Sequence, residues 1–304
     1  AWYLGVTGDQ VGDAEVLVGD RGRLTIAADL LDDVRWINED RGLLTLTGRS
    51  AEVTITAVAF GMGAPIATVV LHELAQLGVG TFLRLGTMMN LPPVSMGEFI
   101  LASEAQRYEG TSVAYRPDSG PAQSDASLDR VVLEAAADAG LGIRHGLVAS
   151  FDGFYPQMAG DPARGFDVGP LRDRLVADGV LGTDMETSAL LVAGRALGVR
   201  VSSLCAATVD GVSCPLVCVV HLLICNHKTS LCPIHRLPII PLRLTHHRCG
   251  EICWSHSRSL SLEWQIIYVD DGSTDGSTAI LRDIQADDTR VIVVVQRRNF
   301  GKSD

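Results

Sequence analysis

Val53-Thr54-Ile55-Thr56-Ala57-Val58-Ala59-Phe60 runs into Gly61-Met62-Gly63, then Pro65 to Leu77, then Thr81 to Leu85, and this succession decides the fold class. The first run is rich in β-branched residues and reads as a buried strand. Two glycines end it. Pro65 stands near the start of the next stretch and Gly78 just past its end, the asymmetry of a helix. Thr81 to Leu85 is a second strand. Strand, tight turn, helix and strand in this order predict a right-handed βαβ unit and a parallel sheet.

The same grammar extends outward. Val16-Leu17-Val18 is a strand leading into Gly19-Asp20-Arg21-Gly22-Arg23. Leu128 to Ala139 reads as a helix, with Ser127 as its N-cap and Gly140 as its stop. Val199 to Val209 closes the series as a strand. The class is α/β, in which ligands gather at the carboxyl ends of the strands.

Gly19 and Arg23 follow the first strand, and Arg84, Gly86 and Thr87 follow Phe82-Leu83. Glycine lets backbone N–H groups approach an anion, and arginine offers a planar fork of donors matched to phosphate oxygens. Together they point to a phosphate site, although any one arginine alone reads more readily as a surface ion pair. Gly61-Met62-Gly63 is a poor dinucleotide signal, because Ile66 stands where the third glycine would be. Thr183-Asp184-Met185-Glu186 precedes an apolar helical run from Ala189 to Leu197. Thr183 and Glu186 have the spacing of a capping box. An ionised Glu186 would equally accept both hydroxyls of a ribose diol.

At 304 residues, 47% hydrophobic and 20% charged, the chain has room for one large globular domain or two ordinary ones. Its net charge of −11 argues against a nucleic-acid partner, which needs a basic surface. No apolar run approaches the roughly 18 residues of a membrane span, and the first residues lack the sections of a secretion signal. The expectation is a cytoplasmic protein with no membrane partner.

Five stretches occur in the order seen in nucleoside phosphorylases: Gly19 to Arg23, Phe60 to Gly63, His72 to Gly78, Phe82 to Thr87 and Asp184 to Ala189. From about Tyr3 to Gly211 the chain resembles that family, most closely its uridine phosphorylase branch. The resemblance implies a mixed sheet flanked by helices, and phosphorolysis of a uridine-like nucleoside to free base and ribose 1-phosphate. Phosphate is then the co-substrate, and neither cofactor nor metal is needed. It implies that Gly19, Arg23, Arg84 and Thr87 hold phosphate, with Arg41 lent to a neighbouring subunit's phosphate site. Met185 and Glu186 take the ribose, Phe154 and Gln157 the base, and Arg84 and Glu186 carry the catalysis. The assembly implied is a dimer-based homo-oligomer, up to a hexamer. On this reading Glu186→Ala costs activity with little cost to folding. Gln157 comes one position earlier than the family's base-reading glutamine, the nearest arginine is Arg164, Tyr3 replaces an early histidine, and Asp210 lies near the purine branch's acid. The base therefore stays open.

The chain divides at 211 and 262. Residues 212–262 carry six of the seven cysteines and six of the eight histidines, with prolines breaking every apolar run. Cys232, His235, Cys249, Cys253 and His256 invite a zinc reading, but their spacings fit no common zinc site. An irregular junction that truncates the first domain is the expectation. Residues 263–304 predict a strand from Gln265 to Val269, a helix from Thr278 to Ile284 and a strand from Val291 to Val295. Asp270 to Ser277 and Arg297 to Ser303 resemble the nucleotide-sugar-binding start of family-two inverting glycosyltransferases, in which Asp271 would lie near the nucleotide. This partial Rossmann-like fragment is expected to be vestigial. A fused product without activity and a glycosyltransferase fragment are the alternatives to a phosphorylase.

Overall fold

The computed structural model describes residues 1–117, 120–210, 266–270, 282–283, 286 and 291–295. The chain forms two compact units, Ala1–His227 and Lys228–Asp304.

The first unit is a mixed sheet that closes on itself at one end. Its strands are β1 (Ala14–Val18), β2 (Asp32–Asn38), β3 (Thr45–Ser50), β4 (Val53–Ala59), β5 (Thr81–Asn90), β6 (Phe99–Tyr108), β7 (Ala122–Gln123), β8 (Ile143–Phe151), β9 (Gly182–Asp184) and β10 (Arg200–Asp210). The helices are α1 (Arg21–Leu30), α2 (Ala64–Gln76), α3 (Thr111–Tyr115), α4 (Ala126–Asp138), α5 (Gly169–Ala177) and α6 (Thr187–Leu197). The expected β4–α2–β5 unit forms, but β1 is inserted between its strands and runs parallel to both. β5 is longer than the predicted Thr81 to Leu85. Its first half pairs with β1, while its end turns to β9 at Met89 and Asn90. That length lets β5, β9, β8, β6 and β10 close into a ring of five strands.

α2 and α6 cover one face of the sheet, over a core that includes Leu17, Val58, Val70, Leu74, Phe82, Leu190 and Val201. α1 covers the other face over Val18, Leu46, Ala57 and Ala59. A third apolar cluster, around Met89, Phe151, Met158 and Leu175, fills the end near β9.

Two expected caps are corrected. α4 is capped by Asp125, whose Oδ1 accepts from Leu128 N at 2.9 Å, and Ser127 only donates its hydroxyl to that carboxylate. Aspartate holds the position because an ionised acceptor also suits the positive helix end. The capping box of Thr183 and Glu186 does not form, since Thr183 belongs to β9 and its hydroxyl has no partner. Asp184 caps α6 instead, through Thr187 N at 3.2 Å.

In the second unit, β11 (Ile266–Asp270) and β12 (Val291–Val295) pair in parallel, Ile266 against Val291 through Asp270 against Val295. Both strands expected there are present. Most of the expected helix, Asp271, and every cysteine and histidine of residues 212–262 lie outside the described residues. No helix among the described residues is long and apolar enough to cross a membrane.

Candidate functional site

Arg84 is the centre of the site. Alternation along β5 turns it with Phe82, Gly86 and Met88 toward α2 and α6, and only 4% of its surface is exposed. Gly86 gives its head room: a Cβ there would stand 2.3 Å from Arg84 Nη1 and 2.8 Å from Cys205 Sγ. The guanidinium therefore lies over the glycine. Nη2 meets Glu186 Oε2 at 2.5 Å and Nη1 meets Asp184 Oδ2 at 3.0 Å. Nη1 also reaches Ser203 Oγ at 3.3 Å, Thr187 Oγ1 at 3.4 Å and the thiol of Cys205. Burial works against its charge, but Cys205, Asp184 and Glu186 outweigh burial and hold its pKa above the ordinary guanidinium value.

Glu186 is the second pillar. It is the N-cap residue of α6, yet its side chain does not cap that helix. Oε1 accepts from Gly63 N at 2.7 Å, at the start of α2. The Gly61-Met62-Gly63 turn thus presents a backbone donor to a carboxylate rather than to a dinucleotide. Gly63 has φ +105°, a conformation that glycine adopts without strain. Burial, aided by Asp184, pushes the Glu186 pKa up, against the opposing pull of Arg84 and Gly63 N–H. Asp184 is equally fixed, with Oδ1 accepting from Ser150 Oγ at 2.6 Å and Oδ2 from Thr187 Oγ1 at 2.5 Å.

Gly19 and Arg23 approach from the end of β1. A Cβ on Gly19 would come within 2.8 Å of Gly61 O, so only glycine lets the two turns touch. Asp20 caps α1 by accepting from Gly22 N at 2.6 Å. Arg23 donates Nη1 to Leu85 O at 3.0 Å. Burial and then the charge of Arg84 push its pKa down, so two guanidiniums repel each other at the strand ends. Such a pair is stabilised by an anion. Thr87 alternates with Leu85 onto the α1 face, the opposite side of β5 from Arg84 and the side from which Arg23 comes.

Met185 and Phe154 pack against the same apolar cluster, which brings the ribose and base candidates to one end of the unit. Gln157 turns inward, its Oε1 accepting from Gly153 N at 2.8 Å. Arg41 is exposed, at φ +54°, and its guanidinium lies 5.3 Å over the Tyr3 ring. It is on the surface, and no hydrogen bond among the described residues joins it to the Arg84 cluster. Tyr3 is held there because Glu73 of α2 accepts the backbone N–H of Trp2, Tyr3 and Leu4. The Asp210 side chain lies outside the described residues.

Sequence reasoning missed Asp184, Ser203, Cys205 and the role of Gly63. Ser203 and Cys205 stand two residues apart in β10, the period-2 spacing that puts both side chains on one strand face, here the face turned to Arg84. That signal was available. Gly63 acts through its backbone, which no side-chain pattern announces.

Residues 14–212 match the profile of the phosphorylase superfamily, and residues 251–304 match that of glycosyl transferase family 2. Uridine phosphorylase of Thermococcus kodakarensis is 31% identical over 195 residues, covering 63% of this chain and 70% of that protein. Guanosine phosphorylase of Halorubrum lacusprofundi is 29% identical over 214 residues, covering 69% and 82%. Among solved structures, uridine phosphorylase from Vibrio fischeri ES114 matches with a TM-score of 0.63 and 29% identity, covering 68% of this chain and 83% of that one.

Proposed function

This chain belongs to the phosphorylase superfamily, and we propose that its first unit splits a nucleoside with inorganic phosphate into free base and ribose 1-phosphate. The observation that carries this reading is the buried pairing of Arg84 with Glu186 beside a second guanidinium, Arg23, that has no ion-pair partner among the described residues. A phosphate oxygen attacks C1′ as the bond from C1′ to the base nitrogen breaks. The bonding electrons leave with the base, which takes a proton from phosphate or solvent. The ribosyl group gains oxocarbenium character, so the protein must position a nucleophile and hold the sugar rather than form a covalent bond.

In this scheme Arg23, Thr87 and the Gly19 turn hold phosphate from the α1 side, and Arg84 meets it from the other. Glu186 accepts the ribose hydroxyls, Met185 lines the sugar, and Phe154 and Gln157 stand beside the base. Arg41, displayed on Tyr3, serves a neighbouring subunit, so the dimer is the smallest active unit of a homo-oligomer. Water attack on the same bond would require a water-activating base, and the buried acids here are already tied to Arg84, Ser150 and Gly63.

The test is release of base from uridine and from guanosine, with and without phosphate, alongside detection of ribose 1-phosphate. The two nucleosides are chosen because the matched relatives are named for them. Phosphate-dependent release from either supports the reading, and the pair assigns the base. Release that ignores phosphate would identify a nucleosidase. No release at all would make the chain a fused product without activity. The parallel pair β11–β12 favours a nucleotide-sugar-binding fragment as the origin of residues 251–304, and calorimetry with UDP-glucose tests whether it retains binding.

A further inference from the structure

We propose that the space between α1 and the sheet binds a short apolar carboxylate, its head on Arg23 and its tail between the helix and β1, β4 and β5, in competition with phosphate. The competition rests on the reading of Arg23 given above.

α1 has the sequence RGRLTIAADL and buries only Leu24. Ala27 offers little bulk where it faces the sheet. Ile26, Ala27 and Leu30 stand off from Val16, Ile55 and Leu85, leaving a cavity of about 170 Å³. Such a space forfeits dispersion contacts along its walls and gains them when an apolar group enters. An apolar cavity of about 150 Å³ stays dry and accepts benzene, so this one takes about six to eight carbons.

The cavity has one charged wall residue, Arg23, and Ser50 is its other side chain with a hydrogen-bonding group. Among the described residues no carboxylate lies within ion-pairing distance of Arg23. The acids that act on it are engaged elsewhere: Asp20 caps Gly22, and Glu186 is held by Arg84 and Gly63. An apolar slot, ending at a guanidinium with no ion-pair partner among the described residues, selects a ligand that is apolar at one end and anionic at the other. The planar fork of arginine matches a carboxylate through two parallel hydrogen bonds. Inorganic phosphate alone fills none of the apolar volume, and a peptide helix is far too large for it.

The experiment is isothermal titration calorimetry of the full chain with butanoate, hexanoate and octanoate, each at several phosphate concentrations, and with octan-1-ol. Affinity should rise about fourfold per methylene until the cavity is full. Apparent Kd should rise linearly with phosphate from its phosphate-free value. The uncharged alcohol and the Arg23→Met variant should each bind about tenfold or more weakly. Ala27→Leu fills the cavity and should weaken octanoate binding about tenfold or more while leaving phosphate binding unchanged. If Ala27→Leu fails to fold, Leu30→Gln, at a residue 44% exposed, should still weaken it. Affinity independent of chain length, insensitivity to these changes, or binding indifferent to phosphate would each overturn the proposal. Competition is read without turnover, so competitive binding in a chain that releases no base supports this site while refuting phosphorolysis.

Discussion

Replacing Glu15 with leucine should stabilise the first unit, and increasingly so as pH rises. Glu15 is the second residue of β1, between Thr56 and Phe82 on the neighbouring strands, and is 1% exposed. Neither of its carboxyl oxygens has a hydrogen-bond partner. Burial alone pushes its pKa well above the ordinary carboxylate value, with no charged side chain contributing. A buried, unpartnered polar group costs about 1–3 kcal/mol even when neutral, and leucine removes that cost while filling a similar volume. The pH-dependent part has a definite sign. The folded pKa is raised, so the protonated carboxyl is fully tolerated below the unfolded value of about 4.3, and stability is lost as pH climbs toward the folded pKa. Across that window the loss is about 1.4 kcal/mol per pH unit, and Glu15→Leu abolishes it. Each kcal/mol moves the melting temperature of a unit this size by about 2–4 °C. Thermal unfolding followed by circular dichroism at pH 4.5, 6 and 7.5 measures the gap, with Glu15→Gln separating loss of titration from loss of polarity. A gap that is constant with pH, or that widens toward acid, would refute the reasoning.

Three further outcomes follow from the site. Glu186→Ala should lower stability by about 3 kcal/mol, because it leaves Gly63 N–H unmet and Arg84 with one buried acid instead of two, and should cut base release per folded molecule by ~10²-fold; an unchanged melting temperature would remove the buried pair, and unchanged turnover the ribose role. Gly86→Ala should push the Arg84 head off Cys205, costing about 1–3 kcal/mol and, because Arg84 holds Glu186, raising the KM for nucleoside more than that for phosphate, whereas a rise confined to phosphate would count against it. Arg41→Ala should change stability by less than about 0.5 kcal/mol because the side chain is exposed. Mixed one to one with Glu186→Ala it should regain about a quarter of wild-type turnover, since half the dimers then hold one intact site. No regain in such mixtures refutes the shared site.

The α/β class and the main secondary elements were legible because β4, α2, β5 and β10 obey strong local rules of branching, proline and glycine. What local pattern could not supply was insertion and closure. Nothing within residues 53–85 says that β1 enters between β4 and β5, nor that β5 continues past Gly86 to meet β9. Those outcomes come from pairing with distant strands. In the site, the charged side chains announced themselves by type and by place at strand ends. The capping box misled because Glu186 had two donors to choose from, and the more distant Gly63 and Arg84 prevailed over the local amide. An ion pair with a guanidinium plus one backbone N–H outweighs a single local cap.

That choice changes what Glu186 is. The resemblance made it a ribose ligand whose loss would spare the fold, but a carboxylate that neutralises a 4% exposed arginine is also part of the core. The same contacts bear on phosphate. Arg84 is flanked by Asp184 and Glu186 and has little positive charge left to offer, whereas Arg23 has no ion-pair partner among the described residues and is repelled by Arg84. An arriving phosphate therefore gains most from Arg23, and relief of that repulsion adds to its binding. Arg84 then serves chiefly as a rigid reference that fixes Glu186 and, through it, the sugar. On this division of labour, Arg23→Met weakens phosphate binding more than Arg84→Met does, while Arg84→Met costs more stability because it strands two buried acids. Calorimetry with phosphate alone, set beside melting temperatures, decides between the two orders.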